Sequence, residues 1–263
     1  MMKFTYYTII GRNKELLKGH LKNVKEYAGF DNITGPKELI VILYRNPNIP
    51  KRIGDELNDI CMDNNVRVHD YNEPGNNFLE NLYACWNLGY AVADPGWVFR
   101  GGSDQIFSKN SFTRLYEVAK DYEERDVILQ ANTIENSQKA MNSRHMLLDL
   151  GNSYDGFDYK FFEEFCRLMN LEVGQKVLNI EEAKEAWGYP TPLRTSLGMV
   201  DRSDGCSWLM KRSDWEKFGP MPPIKDGVTG DVLIHDWMQE AGYKDCIVRD
   251  CVTYHFVKGE SSG

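Results

Sequence analysis

The stretch Leu39-Ile40-Val41-Ile42-Leu43, entered through Glu38 and closed by Tyr44, is apolar at every position. A strand with one wet face alternates apolar and polar residues, so a run without alternation has to be covered on both faces. Strands of that kind belong to parallel sheets with helices packed on either side. The run stops at Arg45-Asn46-Pro47-Asn48, a cluster of breakers that turns the chain. This one segment therefore argues for an α/β architecture.

The flanking sequence agrees. Phe4 to Ile10, rich in β-branched and aromatic residues and stopped by Gly11, reads as a strand. Lys14 to Tyr27 carries Leu16, Leu17, Leu21 and Val24 at helical spacing. A helix is expected over Arg52 to Asn64, a short strand at Val66-Arg67-Val68, and a helix over Asn76 to Ala93. Trp97 to Phe99 is the next strand, followed by a helix over Asn110 to Glu124 and a strand over Val127 to Ala131. Beyond it, Phe161 to Met169 and Ile180 to Trp187 read as helices, and Asn152 to Gly156 as a loop suited to substrate contacts. Ser207 to Met210 reads as a strand and Ser213 to Phe218 as a short helix. Asp231 to Ala241 is a helix with Leu233, Ile234, Trp237 and Met238 on one face and Gly242 as its stop. Cys246 to Val248 and Val252 to Tyr254 are expected as two short strands.

Right-handed crossovers bring the ends of the apolar strands to one edge, around Gly11, Tyr44-Arg45-Asn46 and Gly102-Ser103-Asp104. Ligands of open α/β sheets collect outside the carboxyl ends of the strands. Gly101-Gly102 allows a sharp bend and a close backbone approach, and the carboxylate of Asp104 in that turn can hold a divalent cation, which in turn holds a diphosphate. The alternative is an Asp selected only for turn chemistry.

Composition narrows the field. The 263 residues are 42% hydrophobic and carry a formal charge of −8, which speaks against a general nucleic-acid or membrane-surface binder. No apolar run has the length of a bilayer span, and the N-terminus reads as a strand instead of a signal peptide. The six cysteines show neither CxxC pairs nor zinc spacing, so free thiols in a reducing, cytoplasmic setting are expected.

The layout resembles the inverting family 2 glycosyltransferases, over most of the chain up to His255. The residues that carry the likeness are Gly11-Arg12-Asn13 after the first strand and Glu38 to Ile42 as the second. Gly102-Ser103-Asp104-Gln105 occupies the acidic metal motif, and Gly205 to Arg212, Gly230-Asp231, Gly242-Tyr243 and His255 follow in family order. The resemblance implies a GT-A fold, Rossmann-like, with a mixed, mostly parallel sheet and helices on both faces. It implies a single domain over 1–263, residues 1–131 forming the nucleotide-sugar half and 132–263 the acceptor and catalytic half. Asp231 would be the general base. Gly11, Arg12, Tyr44, Asn46, Ser103 and Asp104 would meet the nucleotide-sugar, expected to be UDP-linked, and Asp104 with His255 would hold a manganese or magnesium ion. The acceptor would be a carbohydrate or other hydroxyl compound, with nucleic acid disfavoured. Arg12 and Lys258 are alternative phosphate contacts, and Asp231 can instead serve only its helix terminus, where Asp is favoured.

The chain departs from that pattern at Gly102, Gln105 and Gly230, where the family carries acids, and at Tyr44-Arg45-Asn46, which lacks the acid that ends the second strand. These departures favour a competing reading, a catalytically silent carbohydrate- or nucleotide-binding module. A nucleotidyltransferase is a third, with only Gly11-Arg12 in its support. Asp201-Arg202-Ser203-Asp204 has two acids at metal-motif spacing but precedes a strand, so it is read as an acceptor-side loop. Of the aromatics Trp187, Tyr189, Trp208 and Trp237, a possible sugar platform, Trp208 and Trp237 are assigned to the core.

Overall fold

A computed structural model describes residues 2–72, 77–136, 146–171, 177–187, 192–195, 198–201, 207–224 and 228–256. The first part of the chain alternates strand and helix: β1 (Phe4–Ile10), α1 (Lys14–Lys22), β2 (Lys37–Tyr44), α2 (Lys51–Asp63), β3 (Arg67–Tyr71), α3 (Phe78–Val92) and β4 (Trp97–Arg100). Then come β5 (Gln105–Phe107), α4 (Ser111–Asp121), β6 (Val127–Asn136), β7 (Met146–Leu148), α5 (Tyr159–Leu171), β8 (Val177–Asn179) and α6 (Ile180–Trp187). The chain continues through β9 (Pro192–Thr195), β10 (Gly198–Asp201), β11 (Trp208–Lys211), α7 (Arg212–Phe218), α8 (Gly230–Glu240) and β12 (Lys244–His255).

Among these residues one sheet runs in the order β3-β2-β1-β4-β11-β6-β12-β5, with β7 beside β6, β8 beside β12, and β9 and β10 paired separately. The pairs β3·β2, β2·β1, β1·β4 and β6·β12 are parallel; β11 is antiparallel to both β4 and β6, and β5 to β12. The unbroken apolar run of β2 is explained directly. Leu39, Val41 and Leu43 enter one core with Phe4, Tyr6, Phe99 and the inner faces of α1, α2 and α4. Ile40 and Ile42 enter a second core with Tyr7, Val98, Trp208, Ile234 and Met238. Burying each such side chain is worth roughly 1.5–3 kcal/mol, so both faces hold the strand in place.

Several elements differ from the sequence reading. The helix expected over Lys14 to Tyr27 is α-helical only to Lys22 and continues as a π-helical turn over Asn23–Tyr27. That turn aims buried Asn23 at β5, where its side chain donates to Phe107 O (3.2 Å) and accepts from Phe107 N (2.9 Å). At three residues, β5 is too short for a periodicity signal. The two expected strands near the end are one strand, β12, whose register with β6 shifts between Val248 and Val252. Arg249 and Asp250 lie at that irregularity, and Asp250 is ion-paired to Arg114.

Trp208 is fully buried, as expected, but Trp237 is 39% exposed. Helix α8 is rolled so that Ile234 and Met238 face the sheet and His235 reaches Asp245 on β12, which leaves Trp237 off the packed face. Cys61, Cys85, Cys166, Cys246 and Cys251 are buried free thiols. Among the described residues no helix is long and apolar enough to cross a membrane.

Candidate functional site

The carboxyl ends of β1, β2 and β4 and the end of β12 open onto a cleft of about 520 Å3. Gly11, Arg12, Tyr44, Asn46, Ser103, Asp104 and His255 all line it. Its far wall is one face of α3, with Phe78, Asn81, Leu82, Cys85 and Trp86 at i, i+3, i+4, i+7 and i+8. The spacing of Phe78, Leu82, Cys85 and Trp86 marks an amphipathic helix, but periodicity alone does not distinguish a core face from a cleft wall. A second lobe of about 530 Å3 shares Gly11, Tyr44, Asn46 and Ile49, and extends past Arg45 and Asp70, themselves joined at 2.6 Å.

The entry of each side chain has a local cause. Asn13 caps α1, accepting from Leu16 N at 3.0 Å, and so fixes the turn through Gly11 and Arg12. The turn that carries Asp104 lies between β4 and β5 and closes with Gln105 N donating to Gly102 O (3.2 Å). The Gln105 side chain holds the turn from within: its Oε1 accepts from Gly102 N (2.7 Å) and from the Ser207 hydroxyl (3.2 Å). Phe256 N donates to Asp104 O at 3.0 Å, which ties the turn to the end of β12.

A buried polar relay supports the same turn from below. The Tyr154 hydroxyl donates to the carbonyls of Ser103 and Gln105, both at 2.9 Å. With its proton so committed, it accepts from His20 Nδ1 (2.8 Å), and His20 Nε2 accepts from the Tyr6 hydroxyl (2.8 Å). The Tyr154 hydroxyl thus requires a proton on His20 Nδ1. Burial lowers the His20 pKa to about 4, against the weaker opposing pull of Asp104. The loop expected to supply substrate contacts thus supplies, through Tyr154, a support for the Asp104 turn.

Asp104 Oδ2 lies 3.2 Å from His255 Nε2. Two adjacent ligands of an octahedral cation with bonds of ~2.1 Å stand about 3 Å apart, and a carboxylate oxygen with an imidazole nitrogen is a donor set that manganese accepts. Among the described residues no group of three or more His, Cys, Asp or Glu could hold a metal alone, so a cation between these two would need oxygens from a bound ligand. On its other side the His255 ring meets a carboxylate that the sequence reading passed over: Nδ1 is 3.4 Å from Glu135 Oε1. The strand containing Glu135 was expected to end at Ala131, and its extension to Asn136 brings the carboxylate to the site.

Asp231 stands in the first turn of α8 but does not cap it; the N-cap is Thr229, which makes no side-chain cap bond. Asp231 Oδ1 accepts from the Tyr83 hydroxyl on α3 at 3.0 Å. The Tyr83 pKa is raised, first by burial and then by the Asp231 charge. Asp231 is not among the residues lining the cleft, although Tyr83 follows Leu82 of the cleft wall directly. The glycine before it has a packing cause, because a Cβ on Gly230 would stand 1.9 Å from Pro222 O. Lys258, Tyr189, Arg202, Ser203 and Asp204 lie outside the described residues, as do the side chains of Trp187 and Asp201.

No protein-family model and no curated protein matches the sequence. Solved structures do match the fold. GalNAc-T7 with UDP, GalNAc and Mn2+ aligns at TM-score 0.57 and 13% identity, over 97% of this chain and 43% of that one. A Pyrobaculum calidifontis mannosyltransferase, PcManGT, with GDP-Man and Mn2+ aligns at TM-score 0.54 and 12% identity, over 97% and 57%. S. aureus TarS, residues 1–349, aligns at TM-score 0.51 and 12% identity, over 97% and 60%. The chain therefore spans less than two thirds of each of these structures. Its fold is that of the GT-A glycosyltransferases, a mixed α/β architecture with a mostly parallel sheet.

Proposed function

We propose that the protein transfers a sugar from a nucleotide diphosphate donor, a UDP-sugar, to a hydroxyl acceptor with inversion at the anomeric carbon. The observation that carries this reading is the single cleft at the strand ends, where Asp104 and His255 stand 3.2 Å apart beside Gly11, Arg12, Tyr44, Asn46 and Ser103. The UDP, GDP-Man and Mn2+ in the similar structures support a nucleotide-sugar and a divalent cation in the same fold.

In the proposed reaction Asp231 takes the proton of the acceptor hydroxyl as its oxygen bonds to the anomeric carbon. The bond from that carbon to the diphosphate oxygen breaks, and the diphosphate leaves with the electron pair. Asp104 and His255 would hold the cation, which when bound neutralises charge on the leaving group. Arg12 faces the same cleft, and Tyr44 and Asn46 lie where its two lobes meet, positions suited to the phosphates and the base respectively.

Thermal unfolding with UDP-, GDP- and deoxythymidine-diphosphate sugars, each with and without Mn2+, tests the reading. A UDP-sugar with Mn2+ should raise the Tm most, since a ligand at about 100 times its Kd adds ~2.7 kcal/mol of stability. No shift with any donor refutes the proposal. A second reading, the silent binding module, is favoured by one observation: Gln105, in the acidic motif, commits its carbonyl oxygen to holding the turn. A donor-induced shift without any release of UDP in the presence of acceptors or water would select it.

A further inference from the structure

We propose that Trp86 is the ring on which the transferred sugar of the donor stacks, and so a specificity-determining residue of the cleft. The inference rests on the reading of the cleft as a sugar-transfer site and concerns the part of the donor beyond the diphosphate. Trp86 lines the cleft together with Gly101, Gly102, Ser103 and Asp104. One face of its ring is already covered. The guanidinium of Arg100, the last residue of β4 and fully buried, stands 3.8 Å from the Trp86 ring centroid and 4.6 Å from that of Trp208. Arg100 Nη1 also donates to Met221 Sδ at 3.2 Å. A planar guanidinium stacked between two indoles sets the plane of Trp86 from the core side. A ring that packs on Trp86 therefore costs the protein little side-chain freedom.

Trp86 also touches both chemical ends of the site. Arg100, against its ring, leads directly into Gly101-Gly102-Ser103-Asp104, the turn assigned to the diphosphate. Trp86 meets Tyr83 as well, with ring centroids 5.4 Å apart, and the Tyr83 hydroxyl donates to Asp231 Oδ1, the assigned base, at 3.0 Å. In a displacement with inversion the attacked carbon lies between the leaving and the entering oxygen, so the sugar that carries it spans the gap from the Asp104 turn to Asp231. Phe78, the other aromatic ring on this face of α3, is about 12 Å further along the helix. A sugar presents C–H groups on its face and hydroxyls at its rim, which suits an aromatic surface bordered by polar groups. Asp231 is not among the cleft-lining residues, so the acceptor it serves belongs outside this wall and the donor's own sugar is the ring that meets Trp86.

The test is isothermal titration of the full chain with UDP, UDP-glucose, UDP-galactose and UDP-N-acetylglucosamine, all in saturating Mn2+, in the wild type, Trp86→Leu and Trp86→Phe. Trp86→Leu should leave the Kd of UDP unchanged. It should raise the Kd of the UDP-sugar that the wild type binds best by about 5–10-fold, the worth of roughly 50 Å2 of lost apolar contact. Trp86→Phe, which keeps a ring, should lose less, and it carries the comparison should Trp86→Leu fail to fold. A second measurement leaves the wall intact. In 5-fluorotryptophan-labelled wild type, the Trp86 signal, assigned by its absence in Trp86→Phe, should move further with the UDP-sugar than with UDP. An equal loss for UDP and the UDP-sugar would put the nucleoside on Trp86, and unchanged affinities or a fluorine signal indifferent to the sugar would remove the sugar from it. Each of these overturns the assignment of Trp86 alone. A wild type that binds neither UDP nor any of the UDP-sugars overturns the sugar-transfer reading and this inference with it.

Discussion

Lowering the pH from 8 to 5 should cost the fold about 2 kcal/mol through His20 alone. The ring is fully buried and bonded on both nitrogens, to Tyr6 and Tyr154, with no charged partner in contact to offset the loss of water around an imidazolium. Burial places its folded pKa at about 4, against an ordinary value of 6.5. Between those two values the unfolded chain takes up a proton that the folded chain refuses. The stabilisation is therefore complete above about pH 6.5 and is lost as the pH falls toward 4. At about 1.4 kcal/mol per pH unit the whole interval is worth ~3 kcal/mol, of which roughly two thirds is gone by pH 5. Urea unfolding of the wild type and of His20→Gln at pH 8, 6.5 and 5 isolates this contribution from the carboxylates, which titrate in both proteins. The variant should be less stable at pH 8 yet lose about 2 kcal/mol less on going to pH 5. Equal losses in the two proteins would refute the neutral, Nδ1-protonated relay.

Asp231→Asn should bind donor normally while the rate of sugar transfer falls at least ~100-fold, the usual loss when a general base is removed; kcat with a competent acceptor is the check. Tyr83→Phe removes the donor at 3.0 Å from Asp231 Oδ1, which raises the carboxyl pKa and moves the acidic limb of the kcat–pH profile upward. An unmoved limb would detach Tyr83 from the base. Gly230→Ala places a Cβ against Pro222 O, where 1.9 Å is available, and should destabilise by ~1–3 kcal/mol in urea unfolding. A neutral or stabilising result would mean that the glycine at this position answers to something other than packing.

The parallel half of the sheet was legible because burial on both faces leaves a pattern that survives in one dimension: Leu39 to Leu43 has no polar gap, and both neighbouring cores account for it. The convergence of Gly11, Tyr44, Asn46 and Asp104 followed from crossover handedness and needed no side-chain knowledge. What escaped was set by contacts between distant segments. Tyr83 and Asp231 are 148 residues apart in sequence, and Tyr154 reaches Ser103 from 51 residues away; no local pattern marks either pair. Trp237 misled for a related reason, since its periodicity is that of a core residue but the orientation of α8 is set by His235 and its bond to Asp245.

The missing first acid of the motif is part of how the turn packs. A Cβ on Gly102 would stand 2.5 Å from Asp104 Oδ1, so the glycine makes room for the Asp104 carboxylate as it is placed. The obstructing atom is the end of a side chain, and it would yield before the backbone does. Gly102→Asp, which restores the acid by composition, should therefore push the Asp104 carboxylate away from His255. The added charge sits on the same short turn and repels the carboxylate already there. Among the described residues Asp104 is the one acid lining the lobe that holds His255, so a cation there would depend on the donor's own phosphate oxygens to complete its shell. By linkage, UDP and Mn2+ should then raise each other's affinity by the same factor. In Gly102→Asp that mutual factor should shrink, read by titrating UDP at several fixed Mn2+ concentrations. A larger factor would mean that the turn accepts two carboxylates, and that the steric reading of Gly102 is wrong.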